Sequence, residues 1–240
     1  MQLTTQGTPT DSPVTSPPMK QFQHLMRATL LTGAIAGAML FLFQYFVIVP
    51  RIIAAEDYEH PSPHEDHEGH HHDAEWKPAE GLERNYYTAA ATILTGIGYA
   101  ALLHAIATLT GLTLTTRNGL FWGLAGFASF VLAPSLGLPP EPPGVPVADL
   151  AMRQLWWVLT AAATAAALIL FAKSSGRWIF YLAAGVLILL PHAVGAPQAA
   201  GLPGVPANLI REFSIASVVG NGMFWLTLGS IAGWLAPADQ

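Results

Sequence analysis

The sequence "ATLLTGAIAGAMLFLFQYFVIV" at positions 28–49 contains no Asp, Glu, Lys or Arg. An α-helix needs about 17–25 mostly apolar residues to cross the hydrocarbon core of a bilayer, so this segment is long enough to span it. Five later segments also lack the four charged residue types: 87–109, 120–138, 155–172, 178–194 and 215–235. The six segments predict an all-α, polytopic helical membrane protein with about six transmembrane helices.

The composition of the whole chain agrees with this class. Of its 240 residues, 52% are hydrophobic and only 10% are charged, whereas about 25% of residues are charged in soluble domains. The 120–138 and 178–194 segments are the weakest spans, because Pro134 and Pro191 fall inside them, and five spans is the alternative count. The chain has no cysteine. A metal site would therefore use imidazole, carboxylate, thioether or carbonyl ligands, which suit borderline or hard divalent ions.

The amino-terminal part of the chain has a different character. Residues 1–18, "MQLTTQGTPTDSPVTSPP", are rich in Pro, Thr and Ser and cannot bury a core, so a disordered tail is predicted there. Residues 19–240 form the predicted transmembrane domain. Lys20 and Arg27 precede the first apolar segment, as in a secretory signal peptide. That segment is too long for a signal peptide and "RIIAAED" is a poor cleavage site, so an uncleaved first span is predicted.

The distribution of charged residues sets the expected orientation. With a cytoplasmic amino terminus, five basic residues lie inside in short segments and five lie outside in three longer loops. This density of basic residues favours cytoplasmic amino and carboxyl termini. Thirteen of the 15 acidic residues then lie outside, ten of them between the first two predicted spans, and the outer net charge is −8. Such a surface concentrates cations, although charge that merely solvates the loops is the alternative reading.

The loops between the spans alternate between long and short, which pairs the spans into three hairpins that close on the outside. Residues 132–157 and 189–216 share an apolar span, a proline, Gly-x-Pro, Gly-Val-Pro, and then Leu and Arg opening the next span. The first hairpin keeps Val49-Pro50 and "GLER" at 81–84. Three tandem two-helix units are predicted, since repeats of one unit are common in transporters. The alternative is that outer helix ends simply need breaking residues.

Glycine pairs in three of the spans indicate close helix packing. Each pair follows the pattern Gly-x-x-x-Gly, at 33/37, 119/123 and 229/233. This spacing puts both small residues on one helix face, and in lipid such faces allow two backbones to approach. The pairs predict a compact helical bundle.

The first outer loop, residues 56–76, contains "HPSPHEDHEGHHHDAEW" at 60–76 and holds six of the nine histidines. Imidazole and carboxylate groups bind Zn, Ni, Co and Cu, and Pro61, Pro63 and Gly69 argue against a rigid helix. We predict a loosely structured segment that captures and releases divalent ions through His60, His64, His67, His70, His71 and His72. A solvated low-complexity loop and a pH sensor are the alternatives.

Two further histidines lie inside the predicted spans. Ionisable residues at membrane depth are rare and mark functional sites, so His104 in the second span and His192 in the fifth are predicted metal ligands. For His104 the alternative is an interfacial residue near the inner end of its helix. His192 follows Pro191, which frees a backbone carbonyl nearby, and interrupted helices line the sites of many transporters.

The remaining polar residues of the spans suggest structural roles. Gln44 and Asn221 are expected to bond neighbouring helices. An arginine stands at the outer end of each of the three return helices: Arg84, Arg153 and Arg211. Snorkelling is the expected role of these arginines, and a gate formed with Glu83, Asp149 or Glu212 is the alternative. No metalloprotease motif, nucleotide-binding glycine loop or convergent acid–base set is present, so no enzymatic activity is predicted.

Several phrases of the sequence together resemble one known family. They are "LLTGAIAGAMLFLFQYFVIVPRIIAAEDYE" at 30–59, the His-rich loop, "EWKPAEGLERNYYTAAATILTGIGYA" at 75–100, "GLFWGLAGFASFVLAPSLGLPPEPPG" at 119–144, "DLAMRQLWWVLTA" at 149–161, "LLPHAVGAPQ" at 189–198 and "FSIASVVGNGMFWLTLGSIAGWL" at 213–235. In combination they resemble the CbtA family of proposed cobalt transporter subunits. The resemblance covers residues 19–235, and residues 1–18 have no counterpart in the family pattern.

The resemblance implies a multi-pass subunit of a cobalt transporter in the bacterial inner membrane, paired with a small single-span, His-bearing CbtB-type subunit. The six loop histidines match the family's variable His-rich loop, and His192 matches its "LLPH" phrase. With the cytoplasmic termini that the density of basic residues favours, the His-rich loop is periplasmic or extracellular. The predicted partners are a divalent metal ion and the lipid bilayer. Neither a nucleic-acid partner nor a tightly bound cofactor is expected, and a homo-oligomer is left open.

The predicted function is the uptake of a divalent metal ion, Co(II) first, with Ni(II) and Zn(II) as alternatives. The outer loop would capture ions and the helical bundle would conduct them. The alternative function belongs to another class: a non-transporting membrane protein that binds metal and buffers or delivers Co, Ni or Zn to a partner.

Overall fold

The computed structural model describes residues 18–58, 79 and 81–236, and the regular structure in these residues is entirely helical. Within these described residues eight α-helices follow in chain order: α1 (Pro18–Phe43), α2 (Val49–Glu56), α3 (Leu82–Thr110), α4 (Gly119–Phe127), α5 (Ala133–Ser135), α6 (Leu150–Ala172), α7 (Trp178–Val194) and α8 (Ala207–Trp234). Two π-helical segments each join two of these helices into one continuous helix. The segment π1 (Gln44–Ile48) links α1 to α2, and π2 (Ala128–Leu132) links α4 to α5.

Four continuous helices are long and apolar enough to cross a membrane: Met19–Glu56, Leu82–Thr110, Leu150–Ala172 and Ala207–Trp234. Two shorter apolar helices, Gly119–Ser135 and Trp178–Val194, contain Pro134 and Pro191. Large apolar side chains face outward from the bundle, among them Phe46 and Leu189, as expected where the surroundings are lipid rather than water. The prediction of an all-α, polytopic membrane protein is confirmed.

A proline explains each π-helical segment. Pro50 and Pro134 are the second residues of α2 and α5, which follow π1 and π2. Proline has no N–H, and its ring clashes with the carbonyl four residues earlier in an α-helix. The wider π turn relieves this clash, and the backbone N–H of Val49 and of Ala133 instead reaches back five residues, to Gln44 and Ala128. The Val49-Pro50 and Ala133-Pro134 steps are therefore accommodated in the same way, by a π turn inside a continuous helix.

Glycine faces bring the helices into their closest contacts. In the antiparallel α1–α3 pair, a Cβ added to Gly37 would lie 2.7 Å from the Cα of Ile93. In the antiparallel α4–α8 pair, a Cβ added to Gly233 would lie 2.8 Å from the Cα of Gly119. Real side chains cannot occupy such positions, so glycine at these points is required for the backbones to approach. The predicted close packing through Gly-x-x-x-Gly faces is confirmed.

The packing matches the three predicted hairpins only in part. The helices of the first predicted hairpin, α1 and α3, make the most extensive contact in the bundle. The second hairpin is also packed, but less extensively, because α6 contacts mainly π2 and α5 rather than α4 itself. The third expected pair is not a packed pair, because α7 packs on α6, whereas α8 packs on α4 and α1. The reason lies in the surfaces: α4 and α8 carry complementary glycine faces, and the long 195–206 segment lets α7 and α8 separate.

The α4–α8 contact predicts a strong response to one added methyl group. A Cβ on Gly229 would lie 2.5 Å from the Cα of Gly123, so Gly229→Ala should destabilise the purified protein by about 1–3 kcal/mol, the usual cost of overpacking. Gly98→Ala is the matched control, because nothing lies within 4 Å of the added atom and alanine favours a helix over glycine. Thermal unfolding in detergent measures both. An equal Tm for the two variants would contradict the close α4–α8 contact at Gly229.

Candidate functional site

The six histidines of the outer loop lie outside the described residues, which break off between 58 and 79. The capture role of the loop histidines therefore stays a prediction for His60, His64, His67, His70, His71 and His72. The helix ends that flank the loop are described. Glu56 at the end of α2 lies 3.3 Å from the guanidinium of Arg84 in the first turn of α3. This ion pair ties together the two helices between which the loop runs.

His104 lies in the contact between α3 and α1, with only 8% of its surface exposed. Its Nδ1 is 2.8 Å from the backbone carbonyl of Ala100, one turn earlier in α3. A carbonyl oxygen can only accept a hydrogen bond, so Nδ1 carries the proton and Nε2 of the neutral ring keeps a lone pair. That Nε2 atom is buried and has no hydrogen-bond partner among the described residues.

Helix α1 carries two buried threonines, and one of them, Thr29, contacts the His104 ring. The Thr29 hydroxyl oxygen lies 3.4 Å from Nδ1 of His104. Thr32, one turn further along α1, is fully buried, and its hydroxyl also lacks a described partner. A buried polar atom without a partner costs about 1–3 kcal/mol. The α1–α3 interface therefore presents polar atoms that a bound water or cation would satisfy.

The orientation of the His104 ring suits a metal ligand. Histidines that bind metals usually donate their second ring N–H to a carbonyl or carboxylate, which fixes the tautomer and aims the free nitrogen. The bond from Nδ1 to Ala100 supplies that fixation here, and it leaves Nε2 as the free nitrogen. The region can therefore offer one oriented imidazole nitrogen to a borderline divalent ion.

His192 lies in the last turn of α7 and faces α6. Its ring meets the indole of Trp156 edge to face, with the ring centres 5.7 Å apart, and its Nε2 is buried without a described partner. The carbonyl of Pro191 accepts hydrogen bonds from Nε1 of Trp156 at 3.2 Å and from the backbone of Gly195 at 3.0 Å. These bonds hold the end of α7 against the start of α6.

The structure does not bring His104 and His192 together. His104 contacts the amino-terminal half of α1, six residues before the end of α3, whereas His192 contacts the first turns of α6. Because successive packed helices run antiparallel, these contacts place the two imidazoles toward opposite ends of the bundle. No group of three or more His, Cys, Asp or Glu side chains suited to a metal is found in the part of the chain that is described.

The ion pairs at the starts of α3 and α6 differ from those considered in the sequence. Arg84 pairs with Glu56, and Arg153 lies 3.8 Å from Glu141, so the proposed gate partners Glu83 and Asp149 were wrong. Both of these acids serve helix starts instead. Asp149 accepts the backbone N–H of Met152, and Glu83 accepts that of Ala79. Short-range bonds to backbone groups compete for acids that stand at a helix amino terminus.

Two other polar residues of the spans have partners. Thr92 donates to Gln44 at 3.1 Å across the α1–α3 contact, which confirms the expected interhelical role of Gln44. Asn221 donates to the Ser217 carbonyl of its own helix at 2.9 Å. The sequence reading did not single out Thr29 and Thr32, because threonine is common in spans and nothing in its spacing marks a site.

The fold and these imidazoles define an integral membrane protein with an oriented ring nitrogen buried between its spans. Over residues 22–237 the chain matches the family described as "Probable cobalt transporter subunit (CbtA)", and it belongs to that family. The family resemblance drawn from the sequence is thereby confirmed. Searches of the curated proteins and of the solved structures found no match.

A substitution at His192 separates a ligand from a packing residue. Asparagine can still donate and accept a hydrogen bond, so a packing role predicts normal metal transport in His192→Asn, with the same preference among Co, Ni and Zn. A ligand role predicts a fall in flux of about tenfold, or a changed preference, at unchanged abundance in the membrane. We expect the second result, because Nε2 is buried without a partner. Metal uptake by cells with matched protein levels measures it.

Proposed function

We propose that this chain is the metal-conducting membrane part of a cobalt transporter, with two intramembrane imidazoles along the route of the ion. The observation that carries the proposal is the free Nε2 of His104, held in place by the bond from Nδ1 to Ala100 inside the bundle. Family membership supports the class of protein and the metal. The acidic His-rich outer loop would gather Co(II) before it enters.

The depths of the two histidines suggest an order of contacts. An ion released by the loop would meet His192 near the outer end of α7 and then His104 toward the opposite end of α3. Each place offers one imidazole among the described residues, so water and carbonyl oxygen would complete the coordination of Co(II). Weak binding at each place suits conduction, because an ion must also leave a site that it enters.

The membrane potential can supply the driving force. Moving one elementary charge across it contributes about 2.3 kcal/mol per 100 mV, so a divalent cation entering a negative cell gains about 4.6 kcal/mol per 100 mV. At equilibrium each 1.4 kcal/mol corresponds to a factor of about ten in concentration. A membrane potential of about 100 mV would therefore support accumulation of a divalent cation by more than about a thousandfold.

The proposed arrangement in the cell follows the density of basic residues and the acidic outer loops. We place the chain in the bacterial inner membrane with both termini in the cytoplasm and the His-rich loop outside. The family description calls the protein a subunit, which implies a partner. A small single-span protein of the CbtB type is the partner that we propose.

Flux through the purified chain tests this function. Proteoliposomes containing only this protein should take up Co(II) when a membrane potential, negative inside, is imposed, and Ni(II) and Zn(II) should be added as competitors. Uptake that depends on the potential supports a transporter. Saturable Co(II) binding without uptake, even after addition of the single-span partner, would support the alternative of a membrane protein that buffers or delivers metal. The observation that favours this alternative is that no group of three or more His, Cys, Asp or Glu side chains suited to a metal occurs among the described residues.

A further inference from the structure

The bundle is built from two packed bodies. Helices α1, α3, α4 and α8 pack on one another and form the first body. Helices α6 and α7 form the second, since α7 packs on α6 and on no other described helix to a comparable extent. The second body meets the first mainly where α6 contacts π2 and α5. A seam therefore runs between the two bodies along the length of α6.

Two cavities lie on this seam, one toward each end of the bundle. The inner cavity has a volume of about 310 Å³ and lies between the end of α3, the start of α4 and the end of α6. The outer cavity, of about 720 Å³, lies between π2, α5, the start of α6 and the middle of α8. The outer cavity has a mainly apolar lining that includes the polar side chains of Tyr99, Gln154 and Asn221 and the guanidinium of Arg153, which lies near Glu141. The inner cavity is mainly apolar, and the polar residues in its lining include Thr113, Asn118 and Ser129.

Phe130 and Trp225 are the two residues that line both cavities. Their rings are stacked, with centres 5.3 Å apart and planes inclined by 11°. Tyr99 packs edge-on against both rings, at 5.3 Å from Phe130 and 4.9 Å from Trp225. Trp157 of α6 approaches Phe130 to 6.0 Å from the other side of the seam. These four aromatic residues form one continuous partition between the cavities, which we call the aromatic plug.

Two local features of the backbone hold the plug in place. Trp225 is almost fully buried, and its indole lies against Gly126, where any Cβ would collide with the ring. Phe130 stands in the middle of π2, and its carbonyl is the one that the ring of Pro134 prevents from making an ordinary α-helical bond. Single π turns occur often at functional sites. Trp225 therefore has a fixed position on α8, whereas Phe130 belongs to an irregular helical turn.

Stacked aromatic rings oppose the passage of a hydrated cation. Apolar constrictions in membrane proteins close a path by excluding water, and they open when the side chains separate. The faces of aromatic rings also attract cations, which lowers the cost of a brief passage between them. A barrier at this point would separate the outer cavity from the inner one.

We propose that the transported cation crosses the middle of the bundle along the seam between the two bodies, after its contact with His192 and before its contact with His104, and that the Phe130–Trp225 stack is the gate between the two cavities. This inference rests on the proposed transport function. It assigns the gate to residues that neither the histidines nor the family description indicates. Opening the gate requires π2 to move relative to α8, so Phe130 can leave the stack while Trp225 stays in place over Gly126.

Cysteine labelling tests the gate without any metal, so its outcome is separate from that of the transport assay. The chain has no cysteine, and single cysteines can be placed at Ser135 in the outer cavity and at Ala165 in the inner cavity. A membrane-impermeant thiol reagent is applied to the purified, reconstituted chain from the side on which Ser135→Cys reacts. With the gate intact, Ala165→Cys should react at least about tenfold more slowly from that side.

Phe130→Ala should raise the labelling rate of Ala165→Cys at least about tenfold and leave that of Ser135→Cys unchanged. Phe46→Ala is the matched control, because Phe46 stands in the other π-helical segment with 70% of its surface exposed. Phe130→Leu provides a smaller truncation if the alanine variant is not recovered as a folded protein. Unchanged labelling of Ala165→Cys in a folded Phe130 variant would overturn the proposal. So would failure of both cysteines to react in the parent chain, which would indicate lipid-filled cavities.

Discussion

Replacing His104 with asparagine should lower Co(II) flux at least about tenfold while leaving the fold intact. The amide nitrogen of asparagine can take the position of Nδ1 and donate to the Ala100 carbonyl, a bond that is 2.8 Å long in the native chain. Asparagine has no atom at the position of Nε2, which is the buried nitrogen without a described partner. A tenfold loss corresponds to about 1.4 kcal/mol, a modest value for a metal–imidazole contact inside a membrane.

The glutamine variant completes the test. In His104→Gln the side-chain amide reaches the position of Nε2 and offers an oxygen there, but it gives up the bond to Ala100 that orients the ring. If His104 is a ligand, the glutamine variant should retain more flux than the asparagine variant, because an oxygen donor still faces the ion. If His104 only bonds its own helix, the order should be reversed. Equal Tm values for both variants establish that the comparison reports on metal rather than on folding.

Binding measurements should use a chain without the loop histidines. The loop would otherwise bind much of the added Co(II) and mask the contribution of a single intramembrane imidazole. In that background, equilibrium binding of Co(II) should weaken with His104→Asn and remain unchanged with Thr164→Val. Thr164 is a buried threonine on α6 whose hydroxyl also lacks a described partner. An equal loss of binding in both variants would show that the effect comes from removing any buried polar group.

The membrane class could be predicted from the sequence because it depends on local properties. Segments such as 28–49 are free of charge over a span-length stretch, and a bilayer accepts little else. The Gly33 and Gly37 pair also predicted close helix packing correctly, because two small residues on one face of a span allow another backbone to approach. Pro134 and Pro191 correctly marked the two segments that form shorter helices.

The choice of packing partners could not be read from the same sequence. In a soluble helix the apolar face identifies the buried side, but a lipid-facing surface is as apolar as a buried one. The α4–α8 contact joins segments about a hundred residues apart, and the chain order suggested α7 as the partner of α8. The complementarity of Gly119 and Gly123 with Gly229 and Gly233 decides the pairing, and it becomes visible when the helices are placed side by side.

In the candidate site, too, some features could be predicted from the sequence and others depend on contacts formed in the fold. His104 and His192 were found because an ionisable side chain at membrane depth is rare. Three features make His104 a candidate ligand, and each depends on the folded structure: the bond to Ala100, the contact with Thr29 and the Nε2 atom without a described partner. The stack of Phe130 on Trp225 was missed as well. Aromatic residues are frequent in spans, and a contact between α8 and π2 has no signature along the chain.

Replacing all six loop histidines with glutamine should raise the Co(II) concentration for half-maximal uptake about tenfold and leave the maximal rate within about twofold. The loop has many ligands in many spacings, so it should bind ions weakly and release them readily, which raises their local concentration at the entrance. Once Co(II) saturates the entrance, that contribution no longer matters, and passage through the bundle sets the rate.

Two controls separate capture from other roles of the loop. His24→Gln changes an exposed histidine in the first turns of α1, at the other end of that helix from the loop, and uptake should be unaffected. Converting the loop acids Glu65, Asp66, Glu68 and Asp73 to amides should raise the half-maximal concentration less than loss of the histidines, because imidazole binds Co(II) more selectively than carboxylate does. Loss of uptake at saturating Co(II) in the six-histidine variant would place the loop on the conduction path. An unchanged half-maximal concentration would show that the loop only solvates the outer surface.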